Sequence, residues 1–258
     1  MNSAHRQPSY GVRFDWGLSG ARAVSAGCDV AVVVDVLSFT TTLSVALDEG
    51  IVVLPFRVRG EEAAAYAAEH DAVLAVGRSV AQGDQISLSS STIRDREHQP
   101  ERLVLPSPNG STISYEVAAS STVVVGASLR NADAVGAWIC AEYPAGAVVA
   151  VIAAGEQWPD GSLRPAFEDI WGAGAVLTAM AAHGWQATQY SPESEAAGSA
   201  WTSAEPRITA RLEESASGRE LIDAGYPCDV AIAGEVNSTR IVPVLRNDRF
   251  VPATTVHS

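Results

Sequence analysis

The stretch that decides the fold is Asp29-Val30-Ala31-Val32-Val33-Val34-Asp35-Val36-Leu37-Ser38-Phe39-Thr40-Thr41-Thr42. Apolar, mostly β-branched residues fill it up to Asp35, and a row of hydroxyl side chains follows. Because both alternating faces of the run are apolar, it predicts a strand covered on both sides, as in a parallel sheet flanked by helices. Ligands of such sheets bind beyond the carboxyl ends of the strands, which is where Asp35 falls.

The rest of the chain repeats this alternation of strand and helix. Strands are predicted over residues 10–16, 51–56, 72–76, 102–105, 122–126, 147–154, 229–233 and 240–245, with a turn at Asn247-Asp248. Helices are predicted over residues 40–48, 61–69, 113–119, 130–142 and 166–183. This rhythm predicts a three-layer α/β fold, with a mostly parallel or mixed central sheet and helices on both faces.

Three segments do not follow the rhythm. Residues 17–27 form a connection of small residues, residues 77–101 an exposed loop, and residues 192–221 a polar helical excursion at the periphery. Without a repeat or a low-complexity linker, residues 1–258 are expected to form a single α/β domain, built as one or two lobes.

Composition narrows the choice of partner. The formal charge of −13 works against contact with nucleic acids or anionic membranes, which require a cationic surface. The beginning of the chain has no apolar signal core, so we expect a cytoplasmic protein. A small molecule is the expected partner, and the 47% of hydrophobic residues is compatible with a homodimer.

Polar side chains gather at three places where a predicted strand meets a helix. The three sets are Asp35 with Ser38, Thr40 and Thr41; Asn109 with Gly110 and Ser111; and Glu168 with Asp169. Each set has an ordinary structural alternative, namely a helix cap, a tight turn or a first-turn charge that favours the helix dipole. Together, at one edge of a sheet, they would offer Mg²⁺ hard oxygen ligands, and helix N-termini would face a phosphate.

Several short segments resemble one enzyme family, the Mg²⁺-dependent 2-phosphosulfolactate phosphatases of coenzyme M biosynthesis. The segments are Val34-Asp35-Val36-Leu37 with Thr40-Thr41-Thr42, Asn109-Gly110-Ser111, Gly126-Ala127-Ser128 with Asn131-Ala132, Ala154-Gly155, Phe167-Glu168-Asp169 with Ala173-Gly174, and Gly225-Tyr226 before Asp229-Val230. Their order spans most of the chain. The resemblance implies a cytoplasmic α/β phosphatase that hydrolyses a phosphate monoester of a small anionic hydroxy acid.

The resemblance also implies roles for individual residues. Asp35, Glu168 and Asp169 are the expected catalytic acids and Mg²⁺ ligands. The expected substrate-binding residues are Ser38, Thr40, Thr41, Asn109, Gly110, Ser111, Arg130 and Asn131. Either Arg130 or Arg78 would neutralise the carboxylate or sulfonate end. Either water or Asp35 itself would attack phosphorus, and direct hydrolysis is slightly favoured because the aspartyl-phosphate phosphatases carry a second acid where this chain has Leu37.

Two departures from the family pattern affect the expected ligand shell. The family usually has an arginine where this chain has Ser38, and acidic and amide groups of two family segments are replaced around Gly77-Arg78 and in residues 86–92. The chain is therefore expected to act on 2-phosphosulfolactate or a related compound. The alternative is a non-catalytic or regulatory anion-binding protein that keeps the phosphatase fold.

Overall fold

The computed structural model describes residues 3–121 and 123–253. Its strands are β1 (Val12–Trp16), β2 (Val30–Val34), β3 (Val52–Phe56), β4 (Val73–Leu74), β5 (Arg102–Pro106), β6 (Val123–Ala127), β7 (Val149–Ala153), β8 (Glu156–Gln157), β9 (Leu163–Arg164), β10 (Pro243–Arg246) and β11 (Arg249–Pro252). Its α-helices are α1 (Gly17–Val24), α2 (Phe39–Asp48), α3 (Glu61–Glu69), α4 (Ser91–Arg94), α5 (Gly110–Ala118), α6 (Ala132–Glu142), α7 (Phe167–Ala182), α8 (Pro192–Ala204), α9 (Ile208–Glu214), α10 (Ala216–Asp223) and α11 (Pro227–Ala233).

In the described part of the chain, nine strands form one mixed sheet in the order β1-β7-β2-β6-β10-β11-β3-β5-β4. The first four are parallel to one another, as are the last three. Between these blocks lies the antiparallel hairpin β10–β11, which pairs with β6 on one side and β3 on the other. Helices cover both faces, so the predicted three-layer α/β fold with a mixed sheet is confirmed.

Strand β2 lies between β7 and β6 and is buried on both faces, as its sequence predicts. Val30, Val32 and Val34 pack in a core shared with α6, α7 and α8. Ala31 and Val33 pack on the opposite side, in a core shared with α1, α2 and α5. The end of β2, and with it Asp35, is thereby fixed between two helical layers.

The hairpin reverses the direction of the block that contains β5. Three successive pairings, β6 with β10, β10 with β11 and β11 with β3, are antiparallel, so β5 runs opposite to β2 within the sheet. The expectation that β2 and β5 end at the same sheet edge is therefore wrong as a statement of topology. The corner after β5 nevertheless reaches Asp35, because the Gly110 amide lies 2.9 Å from the Asp35 carboxylate.

Several local predictions are corrected by the structure. Residues 17–24 form helix α1 instead of an irregular connection, and residues 227–233 form helix α11 instead of a strand. Helix α5 begins at Gly110, three residues earlier than predicted. Strand β10 begins at Pro243, three residues later than predicted. Strand β6 begins at Val123, and its predicted first residue, Thr122, lies outside the described residues.

The segment 77–101 is anchored more firmly than an exposed loop. It contains a short 3-10 turn, the helix α4 and several fully or nearly fully buried side chains, among them Ile86, Leu88 and Ile93. At the other end of the chain, Asn247 and Asp248 both have positive φ, as a two-residue hairpin turn requires, so the turn predicted there is confirmed.

Residues 192–223 form the helices α8, α9 and α10. Helix α8 packs tightly on α7, because the missing side chain of Gly174 leaves room for the Ala197 backbone and for Trp201, which is buried. The segment therefore contributes to the core instead of lying loosely outside it. Among the described residues, none of the helices combines the length and the apolar character needed to cross a bilayer.

Candidate active site

Asp35 is held by the N-termini of two helices. Its Oδ1 accepts the Phe39 amide of α2 at 3.1 Å, and its Oδ2 accepts the Gly110 amide of α5 at 2.9 Å. The side chain of Thr40 caps this corner, since its Oγ1 donates to the Asp35 carbonyl and accepts from the Asp35 amide. Burial raises the pKa of the Asp35 carboxyl, and the two amide bonds and the charge of Arg78 oppose that shift.

Asp169, in the first turn of α7, links the ends of β2 and β7. Its Oδ1 accepts the Val36 amide at 2.7 Å and its Oδ2 accepts the Gly155 amide at 2.8 Å. Burial, followed by repulsion from Asp35 and from Glu168, raises the pKa of Asp169 well above its ordinary value. The Asp169 carboxylate therefore connects the ends of the two strands through these amides. It also belongs to the same acidic group as Asp35.

Glu156 is a member of this acidic group that the sequence analysis did not assign to the site. It directly follows Gly155 at the end of the buried strand β7, and that position was the signal that could have identified it. Its Oε2 accepts a hydrogen bond of 3.0 Å from the side-chain amide of Asn109. Burial and the nearby charge of Asp35 raise the pKa of Glu156 to about 7.

Glu168 completes the set of four acids. Its side chain is only 1% exposed and bonds to the hydroxyl of Ser217 in α10. Burial raises the pKa of Glu168, the repulsion from Asp35 adds to the rise, and the charge of Arg164 opposes it. Burial therefore raises the pKa of all four acids, which come from three segments of the chain, and the charge of Asp35 adds to the rise for the other three.

Arg78 brings a positive charge to the same corner from the segment 77–101. Its guanidinium donates to the hydroxyl of Ser38 and to the Leu88 carbonyl, the latter at 2.9 Å. On its other side it pairs with the buried carboxylate of Asp229 at 3.1 Å. Arg78 therefore lowers the pKa of Asp35 while its own charge is largely neutralised by Asp229.

Residues 21–248 match the model of one protein family, described as 2-phosphosulpholactate phosphatase. The chain belongs to the 2-phosphosulpholactate phosphatase family. No curated protein sequence matches it. All four acids and Arg78 lie inside the matched range.

Other residues expected to bind substrate in this 2-phosphosulpholactate phosphatase fold have their polar atoms engaged within the protein. The Thr40 hydroxyl bonds the Asp35 backbone, and the Ser111 hydroxyl donates to the Leu105 carbonyl at 2.9 Å. Thr41 differs, because its buried hydroxyl has no hydrogen-bond partner among the described residues. Asn109 contacts the site directly through Glu156.

Arg130 and Asn131 do not join the acidic cluster. The guanidinium of Arg130 contacts Ser44 and Asp48 in the second half of α2, each at 3.0 Å, and not the first turn that holds Asp35. Asn131 caps its own turn by accepting the Ser128 amide at 2.8 Å, and its side chain is fully buried. These contacts give both residues a structural explanation that requires no ligand.

The donor chemistry of the cluster fits a hard divalent cation. It consists of carboxylate oxygens, and their mutual repulsion would fall if a positive charge lay between them. Within residues 3–121 and 123–253, no three His, Cys, Asp or Glu side chains are grouped closely enough to chelate an ion by themselves. A site with fewer than three such ligands is still compatible with Mg²⁺, which commonly uses one or two carboxylates and fills its remaining positions with water and phosphate oxygens.

Proposed function

We propose that this chain is a Mg²⁺-dependent phosphatase that hydrolyses a phosphate monoester of a small anionic hydroxy acid, either 2-phosphosulpholactate or a related compound. The observation that carries the proposal is the group of three buried acids, Asp35, Glu168 and Asp169, beside the partly buried Glu156 in a chain of a phosphatase family. So many carboxyl groups are costly to bury together without a cation, and a phosphatase site uses one.

Among Asp35, Glu168 and Asp169 are the one or two carboxylates that we assign to Mg²⁺ as direct ligands, and the others would reach the ion through bound water. When bound, the ion would neutralise charge on the phosphoryl oxygens, which is a principal requirement of phosphoryl transfer. The backbone amides on Asp35 and Asp169 fix the orientation of both carboxylates before any ligand arrives. Pre-organised groups of this kind need no rearrangement during the reaction.

Glu156 is the residue that we assign to proton transfer. In direct hydrolysis the oxygen of water forms a bond to phosphorus, the bond from phosphorus to the ester oxygen breaks, and that oxygen requires a proton. Because its pKa is raised to about 7, Glu156 can carry a proton near neutral pH and release it to the departing alkoxide. The proton lost by the attacking water restores the carboxyl group, and Asn109 keeps it in position.

The experiment that tests the proposal measures phosphate release from 2-phosphosulpholactate, phospholactate and an aryl phosphate, with Mg²⁺ and with a chelator. The expected result is Mg²⁺-dependent release that falls by at least about a hundredfold in the Asp35→Asn variant. Glu142→Gln, a change at an exposed acid of α6, serves as the matched control. No release from any ester under either condition would leave the non-catalytic anion-binding protein as the better description.

The same experiment distinguishes the two attacking groups. A covalent aspartyl-phosphate would be trapped by rapid acid quenching with radiolabelled substrate, and it would be missing from the Asp35→Asn variant. Direct hydrolysis predicts no trapped label in the wild-type protein at any stage of turnover. Release that persists unchanged in Asp35→Asn would remove Asp35 from both schemes.

A further inference from the structure

A cavity of about 510 Å³ opens beside the acidic cluster, between the start of α7 and the helices α8 to α10. We call it the Arg164 cavity, and it is lined among others by Arg164, Phe167, Glu168, Trp171, Arg211 and Ser215. Glu168 forms part of its wall and belongs at the same time to the four-acid cluster. The cavity and the acidic cluster therefore share the Glu168 side chain and lie next to each other.

Arg164 lines this cavity and has no carboxylate within ion-pair distance among the described residues. Its guanidinium contacts the Ser217 hydroxyl at 3.3 Å and lies 5.8 Å from the centre of the Trp158 ring. Among the described residues, no carboxylate oxygen lies within 4.0 Å of the Arg164 guanidinium, the distance that defines an ion pair. This holds although Glu156 is opposite Arg164 in the β8–β9 hairpin.

The other two arginines considered for the substrate differ from Arg164 in this respect. Arg78 is paired with Asp229 at 3.1 Å, and Arg130 is paired with Asp48 at 3.0 Å. In a chain with 30 acids and 17 cationic residues, all of them arginine, a partner for a half-buried guanidinium is easily supplied. An arginine left without one at the edge of the site is available for an anionic ligand, which its planar fork can bind through two hydrogen bonds.

The remaining walls combine charged and apolar groups. Arg211 also lines the cavity, and it pairs with Glu214, another lining residue, through a half-exposed contact of 3.8 Å. Phe167 and Trp171 supply an apolar surface, with Phe167 65% exposed and the two ring centres 6.0 Å apart. Because Glu214 pairs with Arg211, Arg164 is the lining cation that has no ion pair within the described part of the chain, and an unpaired guanidinium beside an aromatic surface suits a small carboxylate or sulfonate.

We propose that the Arg164 cavity binds the second anionic group of the substrate, a carboxylate or sulfonate on the departing alcohol, and that Arg164 determines specificity for it. This inference rests on the proposed phosphatase activity and names the part of the site that selects the ester. It replaces the sequence-based assignment of Arg130 to that role. The phosphoryl group would then lie at the four acids while the acid end of the same molecule extends past Glu168.

The test compares Arg164→Gln, Arg164→Lys and wild type on three esters: an aryl phosphate without an acid group, phospholactate and 2-phosphosulpholactate. A lost charge-assisted hydrogen bond corresponds to about a 10–100-fold change in kcat/KM. We expect Arg164→Gln to lose at least about tenfold more kcat/KM on the acidic esters than on the aryl phosphate, mainly through KM. Arg164→Lys should recover part of the difference, and Arg219→Gln, an exposed charge change on α10, should match wild type.

Two outcomes would overturn the proposal. Equal losses on all three esters would show that Arg164 supports the fold or the phosphoryl group and not the acid end. A second measurement, calorimetric binding of free sulpholactate and free lactate, does not depend on catalysis. If wild type and Arg164→Gln bind these acids equally, the cavity is not their site. If binding depends on Arg164 but no ester releases phosphate, only the proposed phosphatase activity is rejected. The compound that binds more tightly shows whether the cavity prefers the sulfonate or the carboxylate.

Discussion

Gly110 allows the closest approach between the two helices that hold Asp35, and replacing it by alanine is a direct test of the site. A Cβ atom at this position would lie 2.4 Å from Cδ1 of Phe39 and 2.7 Å from Oδ2 of Asp35. Carbon atoms in good contact are about 3.5–4.0 Å apart, so the Phe39 ring would have to move by at least about 1 Å. Phe39 is fully buried and packs edge to face on Phe250, which leaves little room for that movement.

The two contributions to stability have opposite signs. Extra carbon in a packed core costs about 1–3 kcal/mol, whereas alanine is preferred to glycine in a helix by up to about 1 kcal/mol. We therefore expect Gly110→Ala to lower the free energy of unfolding by about 1–2 kcal/mol. The effect on activity should be larger, because displacing a catalytic group by about 1 Å can lower the rate about a hundredfold.

The assay combines urea unfolding with kcat/KM for phosphate release at saturating Mg²⁺. Gly146→Ala is the matched control, since a Cβ there would meet no atom within 4 Å. Its stability and activity should stay close to those of wild type. If Gly110→Ala keeps kcat/KM within about threefold of Gly146→Ala, the contact between Gly110 and Asp35 does not position the acid for catalysis.

Three further predictions concern the acids and the ion. Asp169→Asn should lower the free energy of unfolding by about 1–3 kcal/mol in urea titrations, since its NH₂ would face the Val36 or Gly155 amide and leave a buried donor unpaired. The pKa of Glu156 in the folded protein is raised to about 7, so its contribution to stability is present at pH 4 and is lost as pH rises through 7. The Tm of wild type should therefore fall relative to the Tm of Glu156→Gln between pH 5 and pH 8. Mg²⁺ at about a hundred times its Kd should stabilise wild type by about 2.7 kcal/mol in thermal unfolding, and a Tm that ignores Mg²⁺ would contradict the assignment of the ion to this cluster.

Local sequence patterns were sufficient to predict the structure of a segment where its burial or its turn follows from its own residues. Strand β2 is apolar on both faces and is buried on both faces, and Asn247-Asp248 specifies its turn without help from the rest of the chain. Residues 229–233 show the limit of such patterns, because five apolar and acidic residues fit a short strand or a buried helix equally well. Pro227 at the first position of α11 and Gly234 after its last residue were the signals that favour the helix.

Contacts between distant segments account for what the sequence could not reveal. The buried Asp229 accepts hydrogen bonds from the hydroxyls of Ser89 and Ser90, 140 and 139 residues away along the chain, and these bonds fix a segment that has no periodicity of its own. Likewise, Asp35 and Asp169 stand out as acids at the start of a helix, yet their partners Gly110 and Gly155 come from other corners. Strand and helix patterns place an acid at an edge, but they do not say which backbone amides will hold it there.

The charge of the site explains why substrate binding should depend on both Mg²⁺ and Arg164. A phosphate ester must approach four acids, and each pair of like charges 4 Å apart opposes this by about 4 kcal/mol near a protein surface. Helix N-termini would ordinarily offset such repulsion, but Asp35 already accepts the amides of Phe39 and Gly110. The charge of Arg78 is likewise balanced by Asp229. A bound cation and an unpaired guanidinium are then the groups that remain to attract an anion, so Mg²⁺ should strengthen substrate binding as well as catalysis.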